Sequence, residues 1–200
     1  ARNPQRLGLG VRHLVSRARN LLQSEPSSLT RLLNIELAHH SLWTQALDSR
    51  APWALILEDD GWVEDIRDFA GGLGGLMHES RAPAFVNLST SFSLKQLRID
   101  HLLRSGTSSW QGRRPRSILE STRPVTNTVC AVLYSAEFLE QLVAAWDSLP
   151  LFPVVPIDWK MNRILMGFHE SKQFPSHGCW LVEPGPVIQG SMRPPGRIVT

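Results

Sequence analysis

The chain has 200 residues, 42% of them apolar and 20% charged, with a net charge of +3. That balance suits one globular domain with a core of its own, and no run approaches the ~18 uninterrupted apolar residues of a membrane-spanning helix. Two cysteines, Cys130 and Cys179, exclude a disulfide framework, and their apolar neighbours read as buried thiols in a reducing compartment.

The opening segment, 1–26, is polar and arginine-rich, with one short helix expected around Val11–Leu22. It lacks the apolar centre of a signal peptide. Ser27 or Ser28 can cap a second helix, whose Leu29, Leu32, Leu33, Leu37, Trp43 and Leu47 recur at helical spacing. Pro52 ends it. Trp53–Leu57 is a short continuous apolar run and reads as a buried strand. Another amphipathic helix is expected from Trp62 through Leu76, weakened by Gly71, Gly72, Gly74 and Gly75 at about 1 kcal/mol each. Ala84–Leu88 is a strand. Residues 89–124 lack periodicity and read as one long basic loop. Val129–Tyr134 is a strand, followed by a helix capped by Ser135 that carries Phe138, Leu139, Leu142, Val143 and Trp146. Asp158–Met166 is a further helix, Trp180–Val182 a last strand, and a Pro/Gly-rich tail closes the chain.

Strands alternating with helices predict a single α/β domain, 1–200, with a mainly parallel central sheet. In such sheets ligands sit beyond the carboxyl ends of the strands. Glu58, Asp59 and Asp60 stand at one such end. Three adjacent carboxylates repel one another unless a cation or basic groups compensate. Mn²⁺ or Mg²⁺ takes oxygen ligands of this kind together with substrate phosphates. Residues i and i+2 of an extended segment share a side, so Glu58 and Asp60 would face one site and Asp59 another. The alternative is a set of solvated acids favoured by the dipole of the helix from Trp62.

Positive charge is uneven: residues 1–31 hold six arginines and one acid, and 95–123 hold seven basic residues and two acids. Such stretches meet phosphates or an anionic membrane surface, or are simply solvated. No nucleic-acid-binding motif accompanies them, and the acids would repel a phosphate backbone, so nucleic acid is not the expected partner. Gly71–Gly75 lacks the Lys-Ser/Thr of a phosphate loop. Cys179 has no partner motif for a zinc site. His39 and His40 are adjacent, so they point apart on a helix.

Ala54-Leu55-Ile56-Leu57-Glu58-Asp59-Asp60 resembles the strand and acidic motif of glycosyltransferase family 25, which includes lipopolysaccharide and collagen galactosyltransferases. Further segments match in order. Ala38-His39 precedes Trp43 with the family's Ser-His-to-Trp spacing, with Ala in place of Ser. Thr126–Leu142 is similar to the family's strand-then-helix, Pro156-Ile157-Asp158 to its Pro-x-Asp segment, and Val182-Glu183-Pro184 with Val187–Ser191 to its closing strand and Gln-containing tail. The family opens with an apolar strand and an arginine-bearing loop that 1–26 does not show, which reads as a truncated N-terminus or a different hold on the donor.

The resemblance implies a GT-A-like nucleotide-binding α/β/α sandwich. It implies transfer of a hexose, galactose from UDP-galactose first, to a glycan or glycolipid hydroxyl with inversion. A Mn²⁺ or Mg²⁺ ion would sit at Asp60, with Glu58 and Asp59 ligating directly or through water. Asp158 is the expected base, its alternative role being the cap of its helix. His39 would position phosphate or serve as a core histidine, and Asn87 would touch donor or acceptor. Gln189 would reach the diphosphate or lie on the surface, and Arg113 and Arg114 would guide an anionic acceptor or line a solvated loop. The expected setting is cytoplasmic, at the inner membrane face, with peripheral membrane contact. The competing expectation is a catalytically silent relative that binds glycans or partners.

Overall fold

The computed structural model describes residues 26–78, 85–89, 103–106, 109–121, 128–149, 155–171 and 179–190. The expected helix at Val11–Leu22, residues 90–102, 107–108 and 122–124 of the expected long loop, and the tail beyond 190 lie outside these residues. Four helices are described: α1 (Pro26–Asp48), α2 (Ile66–His78), α3 (Ala136–Asp147) and α4 (Ile157–Glu170). Eight strands accompany them: β1 (Trp53–Leu57), β2 (Gly61–Val63), β3 (Phe85–Asn87), β4 (Leu103–Ser105), β5 (Ser117–Ser121), β6 (Ala131–Ser135), β7 (Cys179–Glu183) and β8 (Val187–Gln189).

Six strands form one sheet in the order β1-β6-β3-β7-β5-β4, and β2 pairs with β8 in a small second sheet. The fold is α/β, as expected, but the sheet is mixed rather than mainly parallel. Only β3 and β7 pair in parallel, and β1–β6, β6–β3, β7–β5 and β5–β4 are antiparallel. The alternation of helices and strands does fix a shared direction for β1, β3 and β7. It carries no information about β6, which inserts antiparallel between β1 and β3 and needs no crossover of its own.

Successive side chains of a strand point to opposite faces, and the core divides accordingly. On one face Trp43 of α1, Phe138 and Trp146 of α3, and Met161 and Leu165 of α4 pack on Ile56, Phe85, Val132 and Tyr134. On the other, Phe69 and Leu76 of α2 pack with Trp110 on Val86, Leu133, Trp180 and Val182. Ser135 caps α3 as expected, its Oγ accepting from the Phe138 N–H at 3.2 Å. Both cysteines are free and buried.

Three further expectations are corrected. The apolar run of β1 lies at a sheet edge, so only Ile56 is buried, while Leu55 and Leu57 are 37% and 41% exposed. Trp62 belongs to β2, and α2 starts at Ile66, where Asp65 Oδ1 accepts from the N–H groups of Arg67 and Asp68 at 2.9 and 3.0 Å. The long loop contains β4 and β5, held by an antiparallel pairing in which Arg104 reaches Glu120 with two hydrogen bonds of 3.2 and 2.9 Å. Among the described residues no helix is long and apolar enough to cross a membrane.

Candidate metal centre

Because β6 is antiparallel to both β1 and β3, and β3 is parallel to β7, the carboxyl ends of β1, β3 and β7 lie at one edge of the sheet. The start of β6 lies there too. Glu58 follows β1 and continues the face of Ala54 and Ile56. Its N–H donates to the Cys130 carbonyl at 2.8 Å, and the Gly61 N–H donates back to the Glu58 carbonyl at 3.0 Å. The chain thus turns tightly through the acidic triplet. The outgoing arm becomes β2, which pairs with β8 through Gly61↔Gln189. The Gly190 N–H donates to the Asp60 carbonyl at 2.7 Å, and Ser89 bridges Val187, which ties β8 to the end of β3.

The two glycines of this junction are needed for close approach. A Cβ at Gly190 would meet the Asp60 carbonyl oxygen at 2.9 Å, and one at Gly61 would meet the Glu58 carbonyl oxygen at 3.0 Å and Cys130 Sγ at 3.4 Å. The contact at Gly190 is closer than real Cβ atoms show and the one at Gly61 is tighter than nearly all of them, so larger residues would press the turn away from its neighbours.

Within this junction the ligand atoms of Glu58, Asp60 and Cys130 lie within 4.8 Å of one another. Glu58 and Asp60 are half-buried and Asp59 is exposed. The alternate-residue expectation therefore holds, and Asp59 stands outside the cluster. Cys130 was expected only as an apolar filler. It is fully buried, yet its Sγ stands 3.9 Å from Asp60 Oδ1. Burial, then the carboxylates of Glu58 and Asp60, pushes its thiol up to about 12. Nothing in the spacing of the sequence marks Cys130, since its approach to the triplet depends on the order of strands in the sheet.

His39 reaches the same place from α1. It is only 4% exposed, its Nε2 lies 3.3 Å from Glu58 Oε1, and its Nδ1 has no partner among the described residues. His40 points the other way, to Asp147 Oδ1 at 2.9 Å. One turn before His39, the buried Glu36 pairs with the buried Lys160 of α4. Asp158 sits half-buried in the first turn of α4, two residues from Lys160, so this pair ties the helix of Asp158 to the helix that contacts Glu58.

Asn87 ends β3 fully buried. Its Nδ2 donates to the Thr128 carbonyl at 2.9 Å, and its Oδ1 accepts from the Ser89 N–H at 3.0 Å. The Thr128 hydroxyl accepts from the Cys130 N–H at 3.1 Å and stands 3.5 Å from Gln189 Oε1. The structure thus gathers His39, Glu58, Asp60, Asn87 and Gln189 around one junction. Arg113 and Arg114 belong to a different neighbourhood. Arg114 pairs with Glu64 at 2.6 Å, and its backbone N–H donates to Asp68 Oδ1 at 2.8 Å. Both guanidinium charges help hold the Asp65 carboxyl below its ordinary range, behind the larger effect of the Asp68 N–H.

No protein-family model matches the chain, and no curated protein matches it. The chemistry of the site therefore has to be argued from its residues. Two carboxylates and a thiol are a workable donor set for a divalent cation, and the buried imidazole beside Glu58 is the kind of outer partner that orients a ligating carboxylate.

Proposed function

We propose that the chain is a metal-dependent glycosyltransferase domain with a GT-A-like arrangement. It moves a hexose, galactose first, from a UDP-sugar to the hydroxyl of a glycan or glycolipid with inversion. The observation that carries this reading is the convergence of Glu58 and Asp60 at the shared carboxyl edge of β1, β3 and β7, beneath the β2–β8 ribbon. Their donor set fits Mn²⁺ or Mg²⁺ bound together with phosphate oxygens. When bound, the cation supplies positive charge where the departing nucleotide diphosphate gains negative charge.

The chain's own residues have separate tasks. Glu58 and Asp60 hold the cation, and His39 fixes the orientation of Glu58. Gln189 lies at the same junction and offers its amide to donor hydroxyls or phosphate, while the buried Asn87 holds the Thr128 and Ser89 backbone in place around it. Asp158 takes the proton of the acceptor hydroxyl as its oxygen bonds to the anomeric carbon. The bond from that carbon to the diphosphate breaks, and its electron pair leaves with the phosphate. Contact with an anionic membrane surface through the basic segments belongs to the same proposal.

The test is calorimetric titration of UDP-, GDP- and CMP-sugars with and without Mn²⁺, followed by UDP-hexose turnover. The Asp60→Ala variant is expected to keep its thermal midpoint and lose Mn²⁺-dependent donor binding. If that variant binds donor as tightly as the parent, the metal assignment fails.

A further inference from the structure

Cys130 is the feature of this junction that an all-oxygen site for Mg²⁺ does not use. Its sulfur lies on the buried side of the site, where the carboxylates of Glu58 and Asp60 occupy the half-buried side. The backbone fixes it there, because the Cys130 carbonyl accepts from Glu58 and its N–H donates to Thr128. Around a tetrahedral ion with metal–sulfur and metal–oxygen bonds of ~2.3 and ~2.1 Å, donor atoms stand about 3.6 Å apart. Sγ is 3.9 Å from Asp60 Oδ1, and all three donors fall within 4.8 Å.

A buried imidazole reaches the same junction from a different element. The His39 imidazole approaches from α1, more than nine-tenths buried, with Nε2 at 3.3 Å from Glu58 Oε1 and Nδ1 without a partner among the described residues. Burying a polar ring with an unmet nitrogen has a cost, and its other nitrogen stands against one Glu58 oxygen and holds that carboxylate at the junction.

We infer that Cys130 is a thiolate ligand which, with Glu58 and Asp60, makes the centre select a borderline-soft divalent ion such as Zn²⁺, Co²⁺ or Cd²⁺ over Mg²⁺. This rests on the cation site of the proposed function and replaces the Mg²⁺ named there with a softer metal class. Sulfur donors favour such ions, whereas Mg²⁺ demands near-octahedral oxygen coordination. On binding, the S–H proton passes to solvent as the metal–sulfur bond forms. The third protein ligand leaves a position open for a diphosphate oxygen.

The full chain is titrated with Co²⁺ and with Cd²⁺, and the thiolate-to-metal charge-transfer absorption is followed in the parent, Cys130→Ser and Cys179→Ser. The expected result is a saturable band in the parent, kept in Cys179→Ser and lost in Cys130→Ser. Zn²⁺ affinity in Cys130→Ser should fall by more than about tenfold, the scale on which even outer partners act. If ions bind by calorimetry with no charge-transfer band, and Cys130→Ser binds them as the parent does, the inference is overturned and the carboxylate site survives. If no divalent ion binds the parent at all, both the inference and the cation site fall. Should Cys130→Ser not fold, the presence or absence of the band in the parent and in Cys179→Ser decides the matter.

Discussion

Asp68 shows how far a single side chain organises its surroundings. It is 1% exposed, and its carboxylate accepts from the Trp110 indole at 3.1 Å, the Arg114 N–H at 2.8 Å and Arg116 Nε at 3.0 Å. Burial works against its charged form, but these donors and the Arg116 charge outweigh it and hold the carboxyl below its ordinary 3.8. A depressed folded-state value means that this stabilisation is complete above the unfolded value and is lost as pH falls through the folded one. Stability against urea should therefore decline below about pH 4, with Asp68 among the groups responsible. The Asp68→Asn variant leaves Arg116, itself 5% exposed on its side chain, without its counter-charge. We expect it to lose about 3–5 kcal/mol at neutral pH and to show a flatter acid limb. At the same scale the sequence was informative about the acids and silent about their partners. Glu58 and Asp60 could be picked out because three carboxylates in a row after an apolar run have few other uses. Cys130 and Asp68 could not, because what they touch lies far away in the chain, 70 and 42 to 48 residues distant.

Helix α2 illustrates what an element's composition conceals. Four glycines in thirteen residues look like a weak helix. In the structure three of them, Gly71, Gly72 and Gly75, form a slot for the segment from Trp110 to Gly112. A Cβ at Gly72 would stand 2.0 Å from the Trp110 ring, and one at Gly75 would stand 2.7 Å from the Gln111 side chain, whereas Gly74 has nothing within 4 Å. Two identical substitutions should therefore act in opposite directions. Gly74→Ala gains helix propensity and should stabilise by about 0.5–1 kcal/mol. At Gly72 the same gain is outweighed by overpacking of about 1–3 kcal/mol or more. Denaturant midpoints of the two variants check this, and equal shifts would show that Trp110 does not occupy the slot. The pairing of β4 with β5 escaped a sequence reading for a related reason. Strands of three and five residues, with three serines among them, acquire their strand character from their neighbours, β5 from β7 and β4 from β5, and not from their own pattern.

For the molecule as a whole, strand order decides which apolar residues are structural. β1 is the most continuous apolar strand, yet it lies at the sheet edge, while β6 beside it is buried along four of its five residues. Leu55→Lys should cost less than about 1 kcal/mol and keep the protein folded, as an exposed edge position allows. Leu133→Ala, in the next strand, should cost about 2–5 kcal/mol. Thermal or chemical unfolding separates the two, and collapse of the fold in Leu55→Lys would show that β1 is interior.

The sequence by itself determined the α/β class, four of the strands that carry the core, the N-cap and apolar face of α3, and the placing of Glu58 and Asp60 at a strand end. These follow from local periodicity and short-range chemistry, which the chain writes within a few residues. The mixed direction of the sheet, the edge position of β1, the β2–β8 ribbon and the approach of Cys130, His39, Asn87 and Gln189 to the acidic pair were decided only by the tertiary structure. Each depends on which distant strands become neighbours. That choice is settled by burying two faces of one sheet at once, a constraint that no local window of sequence contains.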